Sequence, residues 1–179
     1  GKIAIPLQYD LIENFNSNGN PNPQFYNFKK GNRYGLWNRN LKIVGESTED
    51  FYDRTYSNQI AYISFKNLKG KYGLVNKEGV EKIPFIYDES LYFDGEDFSI
   101  AKKNNLLGLI DINNKELIPF KYTEFSRLDN DENFLFHVSN KSETRIINLE
   151  NKTILSGYKS IQSIFNEPLK FIVQKDKKF

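Results

Sequence analysis

The chain has 179 residues, 15% of them aromatic, with 25 basic and 23 acidic residues, one histidine, and neither cysteine nor methionine. Because the charges are interspersed and leave a net charge of only +2, the chain lacks the basic patch that nucleic-acid binding needs. The absence of cysteine excludes disulfides and thiolate chemistry, and no apolar run approaches the roughly 20 residues of a membrane-spanning helix.

The first part of the chain contains two short motifs, Ile5-Pro6-x-x-Tyr9 and Tyr34-Gly35-Leu36. Between them, residues 16–23 are rich in Asn, Gly and Pro, which is typical of a solvated connection rather than a binding loop. Both motifs recur further along the chain.

Trp37, the single tryptophan, follows the second motif and supports two interpretations. It stands where Val75 and Ile110 stand in later copies of the motif, which indicates a strand residue of the core. Alternatively, it forms an exposed aromatic anchor with three tyrosines of the same unit, since Trp and Tyr contribute much of the binding energy of recognition surfaces. These tyrosines are Tyr52, Tyr56 and Tyr62.

The strongest feature of the sequence is an internal repeat in its centre. Tyr72-Gly73-Leu74 and Ile83-Pro84-Phe85-x-Tyr87 are followed, 35 residues later, by Leu107-Gly108-Leu109 and Ile118-Pro119-Phe120-x-Tyr122. A fixed period of this size is typical of small supersecondary units that stack on their neighbours to bury a core. Extending the register to both ends predicts a single repeat domain, residues 1–179, with five units. These units are approximately residues 1–33, 34–71, 72–106, 107–143 and 144–179.

Within each unit, apolar alternation and turn residues predict a β-meander. The predicted structural anchors are six motif residues: Gly73, Pro84, Tyr87, Gly108, Pro119 and Tyr122. The glycines leave room for close backbone approach, and the prolines belong at a sheet edge or where the ladder ends. The tyrosines are large enough to fill the space between adjacent units, with their hydroxyl groups at a rim. The sequence therefore predicts an all-β tandem array, either propeller-like or an open superhelix.

The central unit combines an aromatic-Gly-Leu start, Tyr72-Gly73-Leu74-Val75-Asn76, with Gly79, Ile83-Pro84 and Tyr87-Asp88-Glu89, and closes with the apolar segment 98–104. This pattern resembles the WG-type (KWG) repeat of bacterial proteins, although Tyr or Leu stands here where that family often has Trp. The resemblance implies an all-β repeat domain, common in envelope or secreted proteins, without an established family activity. It supplies no catalytic residues to carry over.

Two stretches also have patterns compatible with a helix. Residues 47–50 have the composition of a helix cap, and Ile161, Ile164 and Phe165 have roughly helical spacing. The register of the array favours strands at both places.

The later part of the chain contains the candidate residues for catalysis and metal binding. His137 lies in an alternating strand pattern and is predicted to be a structural or surface residue. Asp129, Asp131 and Asn133 have the spacing with which calcium loops begin, but an acidic turn before an apolar strand needs no ion. With one histidine and no cysteine, a catalytic triad or a zinc site lacks its usual groups. We therefore predict no enzyme, no metal site and no cofactor.

Repeat arrays present large, rigid surfaces, which favours a binding role. We predict a non-catalytic scaffold for protein–protein interaction or surface recognition, with a carbohydrate or cell-wall glycan binder as the alternative. Nucleic acid is not expected as a partner, and membrane insertion is not expected. The resemblance favours the cell envelope or a secreted location. Because Lys178-Phe179 aligns with Lys71-Tyr72 and the chain does not begin with Met, we expect a segment of a longer, open array.

Overall fold

The computed structural model describes residues 8–14, 25–49, 53–57, 60–76, 78–93, 96–128, 134–164 and 170–175, and for residues 53–57, 60, 61 and 164 it describes only the backbone. These residues form 17 β-strands and, within those ranges, no helix. Accordingly, nothing in the described part of the chain qualifies as a membrane-spanning helix.

The strands form five small antiparallel sheets in chain order. The first sheet contains β1 (Leu11–Asn14), β2 (Phe25–Lys30), β3 (Arg33–Asn38) and β4 (Ile43–Ser47). The second contains β5 (Asp53–Ser57), β6 (Ile60–Lys66), β7 (Tyr72–Val75) and β8 (Glu81–Tyr87). The third contains β9 (Phe98–Lys103), β10 (Leu106–Asp111) and β11 (Glu116–Tyr122). The fourth contains β12 (Glu124–Leu128), β13 (Leu135–Ser139), β14 (Thr144–Asn148) and β15 (Thr153–Tyr158), and the fifth contains β16 (Ser160–Ile164) and β17 (Lys170–Gln174).

The predicted all-β array of meander repeats is confirmed, but the sequence units and the sheets are out of phase. The units that begin at residues 34, 72, 107 and 144 start within the equivalent strands β3, β7, β10 and β14. Each of the first four sheets therefore combines the end of one sequence unit with the start of the next. This arrangement ties consecutive units together through backbone hydrogen bonds.

The chain divides into two compact bodies. One comprises Gly1–Ser99 with Ile112–Asn114, and the other comprises Ile100–Asp111 with Lys115–Phe179. The single domain over residues 1–179 and its five-unit boundaries stay a prediction.

The same register recurs where β7 meets β8 and where β10 meets β11. The residue before the motif glycine pairs with the tyrosine of the Ile-Pro-Phe-x-Tyr motif. The two pairs are Tyr72↔Tyr87 and Leu107↔Tyr122. In both sheets the ladder then shifts on either side of the motif leucine, in a β-bulge. Pro84 and Pro119 fall inside these bulges on β8 and β11, the terminal strands of their sheets, as predicted.

A repeated turn follows each of the equivalent strands β3, β7, β10 and β14. In the second sheet the side-chain oxygen of Asn76 accepts the backbone N–H groups of Glu78 and Val80 at 3.0 and 2.9 Å, and Gly79 has a φ of 80°. An Asn or Asp side chain accepts a backbone N–H in the same way in the other three turns, at Asn38, Asp111 and Asn148. The residue three positions later has a positive φ in each of them: Leu41, Asn114 and Asn151.

Neighbouring sheets bury apolar side chains against each other. In the first body, Phe25, Leu36 and Val44 of the first sheet pack against three residues of the second. Those residues are Ile63, Phe65 and Val75. In the second body, Leu128 and Ile146 of the fourth sheet pack against Ile161 of the fifth. Within each body, neighbouring sheets thus supply surfaces for each other, as stacked repeats require.

The helical alternatives do not hold where the structure describes them. Ile161 lies in β16 and pairs with Val173, because its apolar side chain completes the core beneath the fourth sheet. Ser47 ends β4, and its hydroxyl accepts the N–H of Glu49 at 3.0 Å in a bend rather than a helix. Asp50 and Phe165 lie outside the described residues.

Candidate functional site

Of the four aromatic residues predicted as a binding site, the two whose side chains the structure describes, Trp37 and Tyr62, are buried. Trp37 is 5% exposed and Tyr62 is 8% exposed, so both belong to the core. Trp37 is covered by the rings of Phe28 and Tyr9, with centroid distances of 4.3 and 4.8 Å. The interpretation of Trp37 as an exposed anchor is therefore wrong, because two neighbouring rings shield it from solvent. The Tyr56 side chain lies outside the described structure, as does all of Tyr52.

The repeat glycines Gly73 and Gly108 make room for aromatic rings. A Cβ atom at Gly73 would lie 2.7 Å from Cγ of Phe85, and one at Gly108 would lie 3.1 Å from the ring of Phe120. Gly35 is overlaid in the same way by Phe28, although that ring comes from the preceding strand. The predicted close backbone approach is present as well, since the carbonyl oxygens of Ile83 and Ile118 lie 2.9 and 2.7 Å from the Cβ positions at Gly73 and Gly108.

The repeat tyrosines Tyr87 and Tyr122 are buried, with 2% and 1% of their surface exposed. The Tyr87 hydroxyl donates to the side-chain oxygen of Asn114 at 2.6 Å. The Tyr122 hydroxyl is also buried but has no hydrogen-bond partner among the described residues. For Tyr122 the predicted position of the hydroxyl at a rim is wrong, because the ring inserts completely beside Phe125, with centroids 5.9 Å apart.

The first sheet carries a cleft of about 500 Å³ directly over the Trp37 cluster. Phe28, Tyr9 and Ile43 give the cleft an apolar floor and wall, and Ile43 is 49% exposed. Polar and charged residues form the rest of the lining: Lys30, Asn32, Arg33 and Glu46. This cleft therefore combines an apolar floor with charged groups.

Local sequence explains how the cleft is built. Phe28 pairs with Gly35, and Glu46 pairs with the same glycine from the other side, so a residue without a side chain lies between them. Lys30 pairs with Arg33 across the tight turn that joins β2 to β3. Because Gly35 has no side chain, the Phe28 ring lies over it and forms the floor of the cleft, and the two turn cations form part of its charged rim.

Lys30 is held in place by two neighbours. Its ammonium group donates to the side-chain oxygen of Gln8 at 2.8 Å and lies 5.8 Å from the centroid of the Tyr9 ring. The turn below is fixed by Asp10, whose carboxylate accepts the N–H of Gly31 at 2.6 Å. The rim therefore carries two cations, Lys30 and Arg33, against one carboxylate, that of Glu46.

A second cleft of about 550 Å³ in the fourth sheet is more polar. Glu143 and Arg145 line it and form an ion pair, and the hydrogen bond from Arg145 lowers the pKa of the Glu143 carboxyl. The same bond raises the pKa of the Arg145 guanidinium. Lys159 also lines this cleft, so it too carries two cations against one carboxylate, but unlike the cleft of the first sheet it has no aliphatic side chain in its lining.

Side chains that could bind a metal ion do not converge in the described residues. His137 is half-buried, and its Nε2 atom lies 2.8 Å from the Thr144 hydroxyl. In that part of the chain no three His, Cys, Asp or Glu side chains lie close enough to share a metal ion. The residues with calcium-loop spacing, Asp129, Asp131 and Asn133, lie outside the described residues.

Among the residues that line the cleft, only Tyr9 belongs to a motif of the repeat, Ile5-Pro6-x-x-Tyr9. Phe28, Ile43 and Glu46 carry no motif, and Arg33 lies at a unit boundary. The one usable signal was Gly35 itself, because a glycine in a strand marks a place where a neighbouring ring packs across the backbone. The identity of that ring depends on strand register, which the sequence does not state.

Comparison with protein families identifies the repeat. The model of the WG containing repeat matches residues 1–34, 72–106 and 108–135, which is more than half of the chain. The chain belongs to this family of repeat proteins.

No curated protein matches the chain. Among solved structures, one described as the crystal structure of the eukaryotic initiation factor is similar, with a TM-score of 0.42 and 13% identity over 87% of this chain and 48% of that one. Dihydro-heme d1 dehydrogenase NirN in complex with DHE is similar with a TM-score of 0.29 and 12% identity, over 79% of this chain and 46% of that one. The chain thus spans about half the length of either protein, and neither likeness bears on function.

Proposed function

We propose that the chain is a non-catalytic β-repeat module that binds another protein, and that the cleft of the first sheet is the binding site. The observation that carries this proposal is the half-exposed Ile43 next to a charged rim. An apolar centre surrounded by polar groups is the usual composition of a protein-binding patch. The excess of cations, Lys30 and Arg33 against Glu46, favours a partner segment with an apolar side chain flanked by acidic residues.

The cleft is less suited to the glycan alternative. Sugar rings stack on exposed aromatic faces, but Phe28 is 4% exposed and Trp37 is 5% exposed. Tyr9 is half-buried, and the Lys30 ammonium lies against its ring. The aromatic residues of this site therefore stabilise the sheet and leave no open platform for a sugar.

The proposal is tested by selecting ligands for the chain from a displayed peptide library and from a glycan array in parallel. We expect peptides that combine an apolar and an acidic residue, and we expect their binding to change the fluorescence of Trp37, which lies under the cleft floor. Ile43→Ser and Arg33→Glu should each weaken peptide binding about tenfold, which corresponds to about 1.4 kcal/mol.

Two matched variants control for nonspecific effects. Ile154 is 51% exposed and Arg39 is exposed, and neither lines the cleft, so Ile154→Ser and Arg39→Glu should leave binding unchanged. If the cleft variants bind the peptides as tightly as the unmodified chain, the cleft is not the binding site. Glycan binding that changes Trp37 emission, with no peptide ligands, would favour the glycan alternative.

A further inference from the structure

The fourth sheet differs from the second and third at the position of the repeat glycine. In the second and third sheets the rings of Phe85 and Phe120 lie over Gly73 and Gly108. In the fourth sheet Arg145 occupies this position on β14, in the same pairing with the second strand of the sheet. A long charged side chain therefore stands where the repeat otherwise has none.

β15 also lacks the residue that carries the ring. Between the two pairs that flank the bulge, β8 and β11 each have three residues, 84–86 and 119–121. At the same place β15 has only two, Ser156 and Gly157. The space that a ring fills in the other sheets is here part of the cleft of about 550 Å³, which Arg145, Ser156 and Gly157 all line.

The charged groups of this cleft are held in place. The Arg145 guanidinium donates to the Glu143 carboxylate in an ion pair. The turn that precedes β14 is fixed by Asn140, whose side-chain oxygen accepts the N–H groups of Ser142 and Glu143 at 3.0 and 3.2 Å. The Ser142 hydroxyl donates to the same oxygen at 2.9 Å. Because these groups are already ordered, a ligand does not have to order them on binding.

The Glu143 carboxyl is an acceptor at neutral pH. Its pKa is lowered by the hydrogen bond from Arg145 and, to a smaller extent, by the charge of Lys121 on β11. The contribution of Lys121 also shows that this carboxylate lies on the side of the fourth sheet that faces the third.

Hydrogen-bond donors and acceptors lie side by side in the cleft. A guanidinium has five N–H donors and a carboxylate has two accepting oxygens, so the Arg145–Glu143 pair can still donate and accept. The hydroxyl groups of Thr153 and Ser156, both exposed, do either. Lys159 adds a second cation. This composition suits a ligand that both donates and accepts at neighbouring atoms and carries a negative charge.

We propose that the cleft of the fourth sheet binds an acidic saccharide, a sugar that carries a carboxylate. Of two neighbouring sugar hydroxyls, one donates to the Glu143 carboxylate and the next accepts from Arg145. The sugar carboxylate pairs with Lys159, since the cleft has one more cation than carboxylates. Tyr158, the ring in the lining, is half-buried, so hydrogen bonds and charge rather than ring stacking supply the affinity. This site lies in the second body and is separate from the protein-binding cleft of the first sheet.

An anion without hydroxyl groups suits the cleft less well. A carboxylate or phosphate oxygen accepts hydrogen bonds from Arg145 and Lys159 but has no proton to donate to Glu143. The negative charge of Glu143 also repels such an anion. Only a ligand that donates as well as accepts makes use of the whole lining.

The test is a titration of the whole chain, followed by the amide resonances of residues 142–145 and 156–159. The probes are trisaccharides of galacturonic, glucuronic or mannuronic acid, the neutral trisaccharides of the parent sugars, and triglutamate. At least one acidic trisaccharide should shift these resonances at millimolar concentration, and its neutral counterpart should bind about tenfold more weakly. Triglutamate, which has the charges without the hydroxyl groups, should not shift them.

Glu143→Gln separates saccharide recognition from simple attraction of an anion. The change removes a negative charge, so a site that attracts only anions would bind more tightly. A saccharide loses the charged acceptor for its hydroxyl and should bind about tenfold more weakly.

Lys159→Gln should weaken binding of the acidic trisaccharide to the level of its neutral counterpart and leave the neutral one unchanged. The matched controls are Glu116→Gln and Lys115→Gln, because both side chains are exposed in the second body and neither lines the cleft. Each control should change binding less than about twofold, since solvent and salt screen distant exposed charges. Equal circular dichroism spectra establish that all four variants fold.

No shift of these resonances by any of the acidic trisaccharides would overturn the proposal. Equal binding of triglutamate or of the neutral trisaccharide would also overturn it, as would tighter binding to Glu143→Gln. Shifts confined to the lining of the first-sheet cleft would place the saccharide there and overturn the proposal too. The protein-binding function stands or fails separately, because it is measured with peptides at Ile43 and Trp37.

Discussion

Tyr87 and Tyr122 occupy the same position of the repeat and are equally buried, but their hydroxyl groups differ. The Tyr87 hydroxyl donates to Asn114, whereas the Tyr122 hydroxyl is buried without a partner among the described residues. Tyr87→Phe should therefore lower the free energy of unfolding by about 1 kcal/mol, the usual value of one hydrogen bond. Tyr122→Phe should raise it by about 1 kcal/mol, because it removes a buried and unsatisfied polar group. Urea unfolding of both variants measures the two changes, and changes of the same sign would show that the two hydroxyl groups have equivalent surroundings.

The tyrosine rings should matter more than the single histidine. Tyr87→Ala and Tyr122→Ala each remove a buried ring and should cost about 3 to 5 kcal/mol. His137→Ala should cost less than about 1.5 kcal/mol, because the side chain is half-buried and its ring is held by the Thr144 hydroxyl rather than by a packed core. Denaturant titrations compare the three variants, and equal losses would show that the tyrosines are not the anchors of the repeat.

At the residue scale, the sequence predicted the identity of the anchor residues but not the contacts that their side chains make. Tyr87 and Tyr122 were identifiable because they recur with the repeat. The exposure of Trp37 could not be decided, since it depends on Tyr9 and Phe28, which lie on other segments of the chain. Side-chain environment in a sheet is set by register, and the sequence constrains register only through the repeat.

At the scale of elements, the turn after β3 contains a local backbone strain. The position with a positive φ is occupied by Gly79, Asn114 and Asn151 in three turns but by Leu41, with a φ of 58°, in the first. A residue such as Leu in this conformation costs roughly 1 kcal/mol, which Gly or Asn largely avoid. Leu41→Asn should therefore raise the free energy of unfolding by about 0.5 to 1 kcal/mol in urea titrations, even though it removes an apolar side chain.

The matched control is Leu68→Asn. Leu68 is 45% exposed, close to the 38% of Leu41, and lies in the turn between β6 and β7, where Gly70 rather than Leu68 has the positive φ. Its replacement should change stability by less than about 0.5 kcal/mol, as expected for an exposed site without special geometry. A gain of equal size in both variants would attribute the effect to polarity rather than to backbone strain.

The strands themselves were largely predictable, because apolar alternation and turn residues mark them. Their grouping into sheets was not. The spacing between copies gives the period of the repeat but does not indicate where one sheet ends and the next begins. A sequence unit therefore starts at Tyr72, in the third strand of the second sheet. The same limit applies to the cleft of the first sheet, whose residues come from β2, β3, β4, the turn between β2 and β3, and the segment before β1.

For the whole molecule, the main structural question is how far the two compact bodies depend on each other. The sequence repeat predicts one continuous array in which each unit is stabilised by its neighbours. Trp37 is the only tryptophan and lies in the first body, so its fluorescence reports on that body alone, whereas far-ultraviolet circular dichroism reports on all strands. If the chain is one cooperative domain, the two signals should have the same midpoint in urea.

A core variant in the second body makes this test decisive. Ile146 is 1% exposed in the core between the fourth and fifth sheets, and Ile146→Ala should cost about 2 to 5 kcal/mol. In a single cooperative domain this loss lowers the midpoint of Trp37 fluorescence as well as that of circular dichroism, because the first body cannot remain folded alone. Ile154→Ala, at a 51% exposed position, should move neither midpoint. A Trp37 midpoint unaffected by Ile146→Ala would show that the two bodies unfold independently and would contradict the single repeat domain.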